Sequence, residues 1–452
     1  MAVRARRPRG SVRGSRHLLQ QVMNDAQPSA PLPPVPDAGT GSSATATPAR
    51  IHWNEHGQMC SAPWRSERAA APPENVVLGD DTTSADLAYR LACAGTAILW
   101  RGDFHNARQL LQAMARRIDQ PPARKRRGGA QREKPPASGP ANFHLHRQAQ
   151  AQRARILGMV LLQIGADYTI ALRRAPDVRL ACTEAWGEPA TPGEASVLSL
   201  RELMGVTSAH EWRTRGVEIP ALGQAPDNRI HPHYGVFSPA RGEYIGLVAQ
   251  ASLPVTGQQP YVAFDIGTGS GVLAAVLARR GLTHVVATDL EPRALVCAHD
   301  NLQRLGLRGQ VELRQTDLFP HGQASLIVCN PPWLPARPTA PIENAVYDEG
   351  GRMLHGWLAG LAAHLVPGGE AWLVLSDLAE HLQLRSRDAL LAAITQAGLQ
   401  VAGRIDTRPH HPKAGDQRDR LHKARSAEIT SLWRLVVATP LVKSDCAPAI
   451  SG

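Results

Sequence analysis

From residue 262 to residue 437, apolar positions fall into two alternating patterns. Short apolar runs at 262–266, 284–288, 311–314, 325–329 and 371–375 have strand length, whereas 271–280, 292–305, 353–365 and 388–397 carry helical spacing. Strand-helix alternation of this kind predicts a mostly parallel sheet covered on both faces. Two more strands, 401–405 and 429–437, have no strong helix between them to make a parallel crossover. They are expected to pair as an antiparallel hairpin at one edge.

Upstream the patterning is weaker. Thr83-Ser-Ala-Asp86 resembles a helix start before Leu87, Leu91, Ala94 and Ile98, and a second helical run passes through Leu110, Leu111, Met114 and Ile118. A third helix is expected over 146–164, after a Pro/Gly/Lys/Arg linker at 121–140, and short strands at 168–172 and 178–182. Residues 79–220 are therefore expected to form a helical or α+β accessory domain for substrate recognition, and residues 221–440 the domain that carries the chemistry. Residues 1–78 join an acid-free arm containing Arg4, Arg6 and Arg7 to Pro-rich and Gly/Ser-rich stretches. So little apolar surface cannot offset the entropy of ordering, which predicts a disordered tail, with a shorter one at 441–452.

Composition narrows the class. A chain of 452 residues that is 43% hydrophobic and 20% charged can bury a large core and divide into two folded regions plus tails. It contains no run of about 18 apolar residues, so no membrane span is expected. The six cysteines lie without CxxC or Cys/His zinc spacing, which predicts reduced thiols in a cytoplasmic protein and no metal site. His231, His233, His410 and His411 likewise lack a partner set for metal. The net charge of +11 is unevenly placed: residues 261–360 hold 8 basic and 9 acidic residues, residues 101–157 hold 13 and 3. Basic surface is thus expected largely outside the chemical block.

Within that block, Asp265-Ile-Gly-Thr-Gly-Ser-Gly271 follows an apolar strand and opens a helix. Glycine lets the backbone turn sharply, and a helix N-terminus offers free N–H donors. Glycines at 267, 269 and 271, with Thr268 between, do not make the GxGxxG dinucleotide fingerprint, and no Lys-Ser/Thr ending marks a P-loop. A nucleoside without a pyrophosphate suits the turn better. Asp289 and Leu290 follow the second strand, where a carboxylate can accept both ribose hydroxyls. Asp317 follows the third, where it can accept from an adenine amino group while Leu318 covers the ring. Asn330-Pro-Pro-Trp333 follows the fourth. A planar amide or exocyclic amine is a poor nucleophile because its lone pair is delocalised. Acceptors at the Asn330 side chain and the Pro331 carbonyl favour the pyramidal geometry that frees it. Pro331 and Pro332 restrict the backbone, and Trp333 offers a flat face for stacking.

Together these motifs resemble those of class I S-adenosylmethionine-dependent methyltransferases. The likeness is to the "methyltransferase small" group that contains the HemK release-factor glutamine methyltransferases and the ribosomal-RNA guanine-N2 methyltransferases, and it spans residues 234–437. The resemblance implies an α/β fold with a Rossmann-like seven-stranded sheet. It places S-adenosyl-L-methionine across Gly267-Thr-Gly269, ribose on Asp289, adenine near Asp317 and Leu318, and the accepting nitrogen on Asn330–Trp333. Phe237-Ser-Pro-Ala-Arg-Gly-Glu243 is similar to the Pro-Arg-Pro-Glu-Thr segment of HemK proteins, which puts Pro239, Arg241 and Glu243 near the cofactor entrance. Asp348-Glu-Gly-Gly351 resembles a Gly-rich segment of archaeal and eukaryotic HemK relatives. The HemK proteins usually carry Tyr at the position of Trp333, and residues before 201 show no match to their release-factor-binding bundle.

The expected reaction is direct in-line methyl transfer to an sp² amino nitrogen, without metal or covalent enzyme intermediate. The acceptor is a protein glutamine side chain, as in the release-factor enzymes, or a nucleobase amine of an RNA or ribosomal substrate. Arg408, Lys413, Arg418, Arg420, Lys423 and Arg425, between the last two strands, add a basic loop at the same sheet edge. The other class of function open to such a chain is a non-catalytic, adenosylmethionine-fold RNA-binding or scaffold protein. Oligomeric state is not legible in the sequence.

Overall fold

The computed structural model describes residues 49–119, 139–189, 192–258, 260–338, 341–409 and 419–438. The expected arm within 1–48, most of the linker at 121–140, the middle of the late basic loop and the tail from 441 lie outside the described residues.

The first region is built on a small sheet of its own. Strands β1 (Arg50–Glu55) and β2 (Gln58–Pro63) form an antiparallel hairpin. In chain order follow β3 (Asn75–Gly79), α1 (Ala85–Cys93), β4 (Thr96–Trp100), α2 (Phe104–Asp119), α3 (Pro140–Leu157), β5 (Val160–Ile164), α4 (Arg179–Trp186), β6 (Ser196–Ser199) and α5 (Leu200–Arg215). The sheet order is β3-β4-β5-β6, with β6 antiparallel and the others parallel.

Four expectations are corrected here. Order begins by Arg50 rather than after residue 78, because the hairpin buries Ile51 and Trp53 against Ala97, Leu99 and Leu161 of the sheet. Ile98 belongs to a strand and not to the first helix: Gly95, at φ +87°, ends α1, and a short apolar run fits either period. The third helix starts earlier than expected, at Pro140, and stops at Leu157, so 160–164 is a strand. Residues 168–172 form no strand, and 178–182 leads into α4. The region is accordingly α/β in character, with parallel pairing at its centre.

The second region continues through a short antiparallel pair, β7 (Val217–Glu218) and β8 (Arg229–Ile230), and α6 (Glu243–Gln250). Then come β9 (Val262–Ile266), α7 (Val272–Arg279), β10 (His284–Asp289), α8 (Pro292–Arg304), β11 (Val311–Gln315) and β12 (Ala324–Cys329). The described residues end with α9 (Arg352–His364), β13 (Leu365–Ser376), α10 (Leu378–His381), α11 (Arg387–Gln396), β14 (Leu399–Thr407), α12 (His422–Ala427) and β15 (Thr430–Val437). These seven strands form one sheet, ordered β11-β10-β9-β12-β13-β15-β14. All pairs are parallel except those of β15, which runs antiparallel to both β13 and β14. The expected α/β sheet and its antiparallel edge are both present.

Central strands covered on both sides read as continuous apolar runs, and every residue of β12 is buried. One face packs on α7 through Leu273, Val276 and Leu277, the other on α9 and α11 through Trp357, Leu361 and Ile394. The carboxyl ends of the five parallel strands therefore share one open edge, where such sheets bind ligands.

The junction of β13 with β15 contains a buried charge. Glu370 is 8% exposed and accepts bonds from Arg434 Nη2 (2.5 Å), Arg434 Nε (2.8 Å) and Trp372 Nε1 (3.0 Å). Burial pushes its carboxyl up, but the bonds from Arg434 and Trp372 outweigh that and hold it below the ordinary range. Arg434→Ala should destabilise the fold by about 2 kcal/mol, since it strands a buried carboxylate. A carboxyl lowered in the folded state stabilises above its unfolded pKa and loses that contribution as pH falls. The melting-temperature gap between wild type and Arg434→Ala is therefore expected to be full at pH 7 and to close on acidification below the ordinary glutamate range.

Candidate active site

The turn after β9 is braced from beneath. Asp265, 1% exposed, accepts from Thr268 Oγ1 (2.7 Å) and from the Ala274 amide (2.9 Å), both on Oδ2. Burial is the main cause that pushes its carboxyl up to about 6. The amides of Gly267 and Thr268 both donate to the Thr288 carbonyl (2.9 and 2.8 Å), which ties the turn to β10. Gly267 and Gly271 have φ of +73° and +80°. A Cβ at Gly267 would lie 2.6 Å from Met353 Cε, and one at Gly271 would press on Ala298 at 3.1 Å. Gly269, at φ +55°, faces open space instead.

Asp289 closes the next strand. Its Oδ2 accepts from the Gly269 amide (2.9 Å) and its Oδ1 from the Glu291 amide (3.0 Å). Each carboxylate oxygen can accept more than one bond, so both retain capacity for a diol. Burial raises its pKa above the ordinary value. Asp317 Oδ2 accepts from Arg352 Nη1 (3.0 Å) in an exposed contact. Leu318 sits at φ +67°, a left-handed conformation costly for a branched side chain, and its carbonyl accepts from Thr288 Oγ1 (2.7 Å).

Asn330 to Trp333 leave β12 at the same edge. The Trp333 indole N–H donates to Asn330 Oδ1 (2.9 Å), so the tryptophan orients the asparagine as well as offering a face. The oxygen keeps a second lone pair. Beyond it, the Leu334 amide donates to the Val346 carbonyl (3.1 Å) and the Asp348 amide to the Leu334 carbonyl (2.9 Å). Asp348 in turn caps α9, accepting from the amides of Met353 (3.0 Å) and Leu354 (3.2 Å). Helix α3 of the first region reaches this loop. Arg147 Nη1 donates to the Arg337 carbonyl (2.8 Å), its guanidinium lies 4.2 Å from the Tyr347 ring centroid, and Phe143 packs with Leu334, Leu378 and Leu382.

A cavity of about 720 Å³ runs along this edge and is lined by every site residue expected from the sequence except Gly271, which packs behind it. Of Pro239, Arg241 and Glu243, only Arg241 reaches the lining. Arg425 of the expected basic loop also lines it, and sequence patterning missed Glu67 and Glu428, which do so too. No motif marks them, since they come together only through tertiary folding. A nucleoside fits this lining: an exposed-edge glycine at 269, a carboxylate at 289 with free acceptor capacity, and apolar Leu290 and Leu318 for a ring. Among the described residues no helix is long and apolar enough to cross a membrane, and no group of three or more His, Cys, Asp and Glu could hold a metal ion.

The comparisons with known proteins bear on this second region. Residues 227–396 match the family model described as the methyltransferase small domain. A release factor glutamine methyltransferase of Cereibacter sphaeroides is 34% identical over 158 residues, 32% of this chain and 55% of that protein. A ribosomal protein L11 methyltransferase of Pelotomaculum thermopropionicum is 45% identical over 157 residues, 31% of this chain and 50% of that one. The chain thus spans about half the length of the curated relatives it matches. Among solved structures, a methyltransferase from Pyrococcus furiosus aligns over 51% of this chain and 96% of its own, at 17% identity and a TM-score of 0.35. Over residues 227–396 the second region thus resembles methyltransferase small domains, and its seven-stranded sheet is the one that this resemblance implies.

Proposed function

We propose that the protein is an S-adenosyl-L-methionine-dependent N-methyltransferase whose acceptor is a planar amino nitrogen, a protein glutamine side chain in preference to a nucleobase amine. The observation that carries the reading is the meeting, in one cavity, of the braced glycine turn, Asp289 and Asn330–Trp333. Resemblance to the release-factor enzymes favours glutamine.

In this reading Gly267, Thr268 and Gly269 approach the cofactor closely, Asp289 accepts its ribose hydroxyls, and Leu318 and Leu290 cover its base. Asp317, bonded to Arg352 through Oδ2, keeps acceptor capacity for the base amine. Bound S-adenosyl-L-methionine supplies an electrophilic methyl group on a sulfonium sulfur. Asn330 Oδ1 and the Pro331 carbonyl accept the two N–H bonds of the acceptor, which localises the nitrogen lone pair toward that methyl. Trp333 keeps Asn330 in register by its indole bond, and the two prolines reduce the entropy lost when the acceptors converge.

Three outcomes check these roles. With labelled cofactor and fractionated cellular protein and RNA, Asn330→Ala should reduce methyl incorporation by about 100-fold or more while leaving S-adenosylhomocysteine affinity unchanged. Equal labelling by the two proteins would sink the mechanism, and label in RNA alone would overturn the glutamine preference. Trp333→Phe keeps the stacking face but removes the indole donor, and is expected to lower turnover about tenfold without changing cofactor affinity, as single-turnover rates would show. Asp289→Ala should weaken S-adenosylhomocysteine binding by about 2 kcal/mol in calorimetry, the scale of a lost charged hydrogen-bond acceptor.

A further inference from the structure

Glu428 stands just before β15 and lines the cavity, yet neither the cofactor side nor Asn330–Trp333 makes use of it. It is 4% exposed. Among the described residues its one hydrogen-bond donor is Ser376, whose hydroxyl gives Oε1 a 2.6 Å bond. Ser376 is itself fixed, because its oxygen accepts from the Leu378 amide at 3.0 Å. The arginines Arg241 and Arg425 line the same end of the cavity, but neither forms an ion pair with Glu428. Burial, the main cause, raises its carboxyl above the ordinary range, against the opposing pull of Ser376 and Arg241. A buried carboxylate with one donor has unfilled acceptor capacity, which is costly unless a ligand fills it.

The sheet order says which ligand. Along the edge, Asp317, Asp289 and the glycine turn follow β11, β10 and β9, Asn330 follows β12, and Ser376 and Glu428 flank β13 and β15. Neighbouring strands lie about 4.8 Å apart, so β15 is about 14 Å from β9 and about 10 Å from β12. In-line transfer puts the accepting nitrogen on the far side of the methyl from the sulfur. The rest of the acceptor therefore extends from Asn330 away from β9, toward β13 and β15.

We propose that Glu428 is a substrate-binding residue that accepts an N–H of the acceptor molecule beyond the nitrogen that receives the methyl group. This rests on the reading of Asn330–Trp333 as the methyl-accepting site. The other source of such a donor is the ammonium of the cofactor's amino-acid end, and two measurements on the full chain separate them.

Calorimetry with S-adenosylhomocysteine should give the same affinity for wild type and Glu428→Ala, which also establishes that the variant is folded. Methyl incorporation from labelled cofactor should be titrated against extract of cells lacking the gene. The extract needed for half-maximal rate should rise about tenfold in Glu428→Ala, equivalent to about 1.4 kcal/mol, with the saturated rate much less affected. Ser376→Ala, which keeps the carboxylate but releases it, should shift half-saturation in the same direction by less. An unchanged half-saturation in Glu428→Ala overturns the proposal, as does a tenfold loss of S-adenosylhomocysteine affinity, which would assign the carboxylate to the cofactor. Absence of label from wild type in both protein and RNA would instead fail the methyltransferase reading, and the role of Glu428 with it.

Discussion

The two bonds that Asp265 Oδ2 accepts, from the Thr268 hydroxyl and the Ala274 amide, join the end of β9, the glycine turn and the first turn of α7 into one unit. Everything on the cofactor side is referred to that unit. The turn's own amides then hold Thr288, and Gly269 holds Asp289, so the position of the second carboxylate follows from that of the first. The arrangement has an electrostatic cost: folding buries a carboxylate whose pKa rises to about 6, with Asp289 nearby adding to the rise. Folding therefore favours its protonated form, and this group's contribution is present below its unfolded pKa and lost as pH rises through about 6. A neutral residue would avoid that cost but could not accept two donors on one oxygen as strongly.

The central sheet was legible because its patterning and its chemistry agree. Five apolar runs, each followed by a helix or a polar turn, leave few topologies, and the motif residues sit where strands end. The first region was less legible because its strands are short and its helices adjoin them. Thr96–Trp100 continues the apolar spacing of α1, and only Gly95 distinguishes a strand from another helical turn. The hairpin at Arg50–Pro63 lay in a segment whose neighbours are rich in proline and glycine, and its two buried anchors, Ile51 and Trp53, are too few to stand out by periodicity. Glu428 was invisible for a different reason: its significance comes from which strands are neighbours, and its own surroundings in the chain are those of an ordinary acidic residue.

The first region is also more than an appendage to the chemistry. Through Phe143 and Arg147, α3 supports the loop that follows Trp333, and the segment around Glu67 contributes to the cavity wall. The contact joins one backbone carbonyl, that of Arg337, with the loop side chains of Leu334, Glu343 and Tyr347. The family model matches residues 227–396, a stretch that contains neither α3 nor Glu67.

The methyl group of Met353 fills the space that a side chain at Gly267 would need. Met353 lies in the first turn of α9, whose amides hold Asp348, and the Asp348 amide bonds to the Leu334 carbonyl, next to Trp333. One thioether thus stands between the glycine turn and the helix whose first turn holds Asp348. Any side chain at Gly267 has to displace the Met353 methyl group, the far end of a flexible side chain.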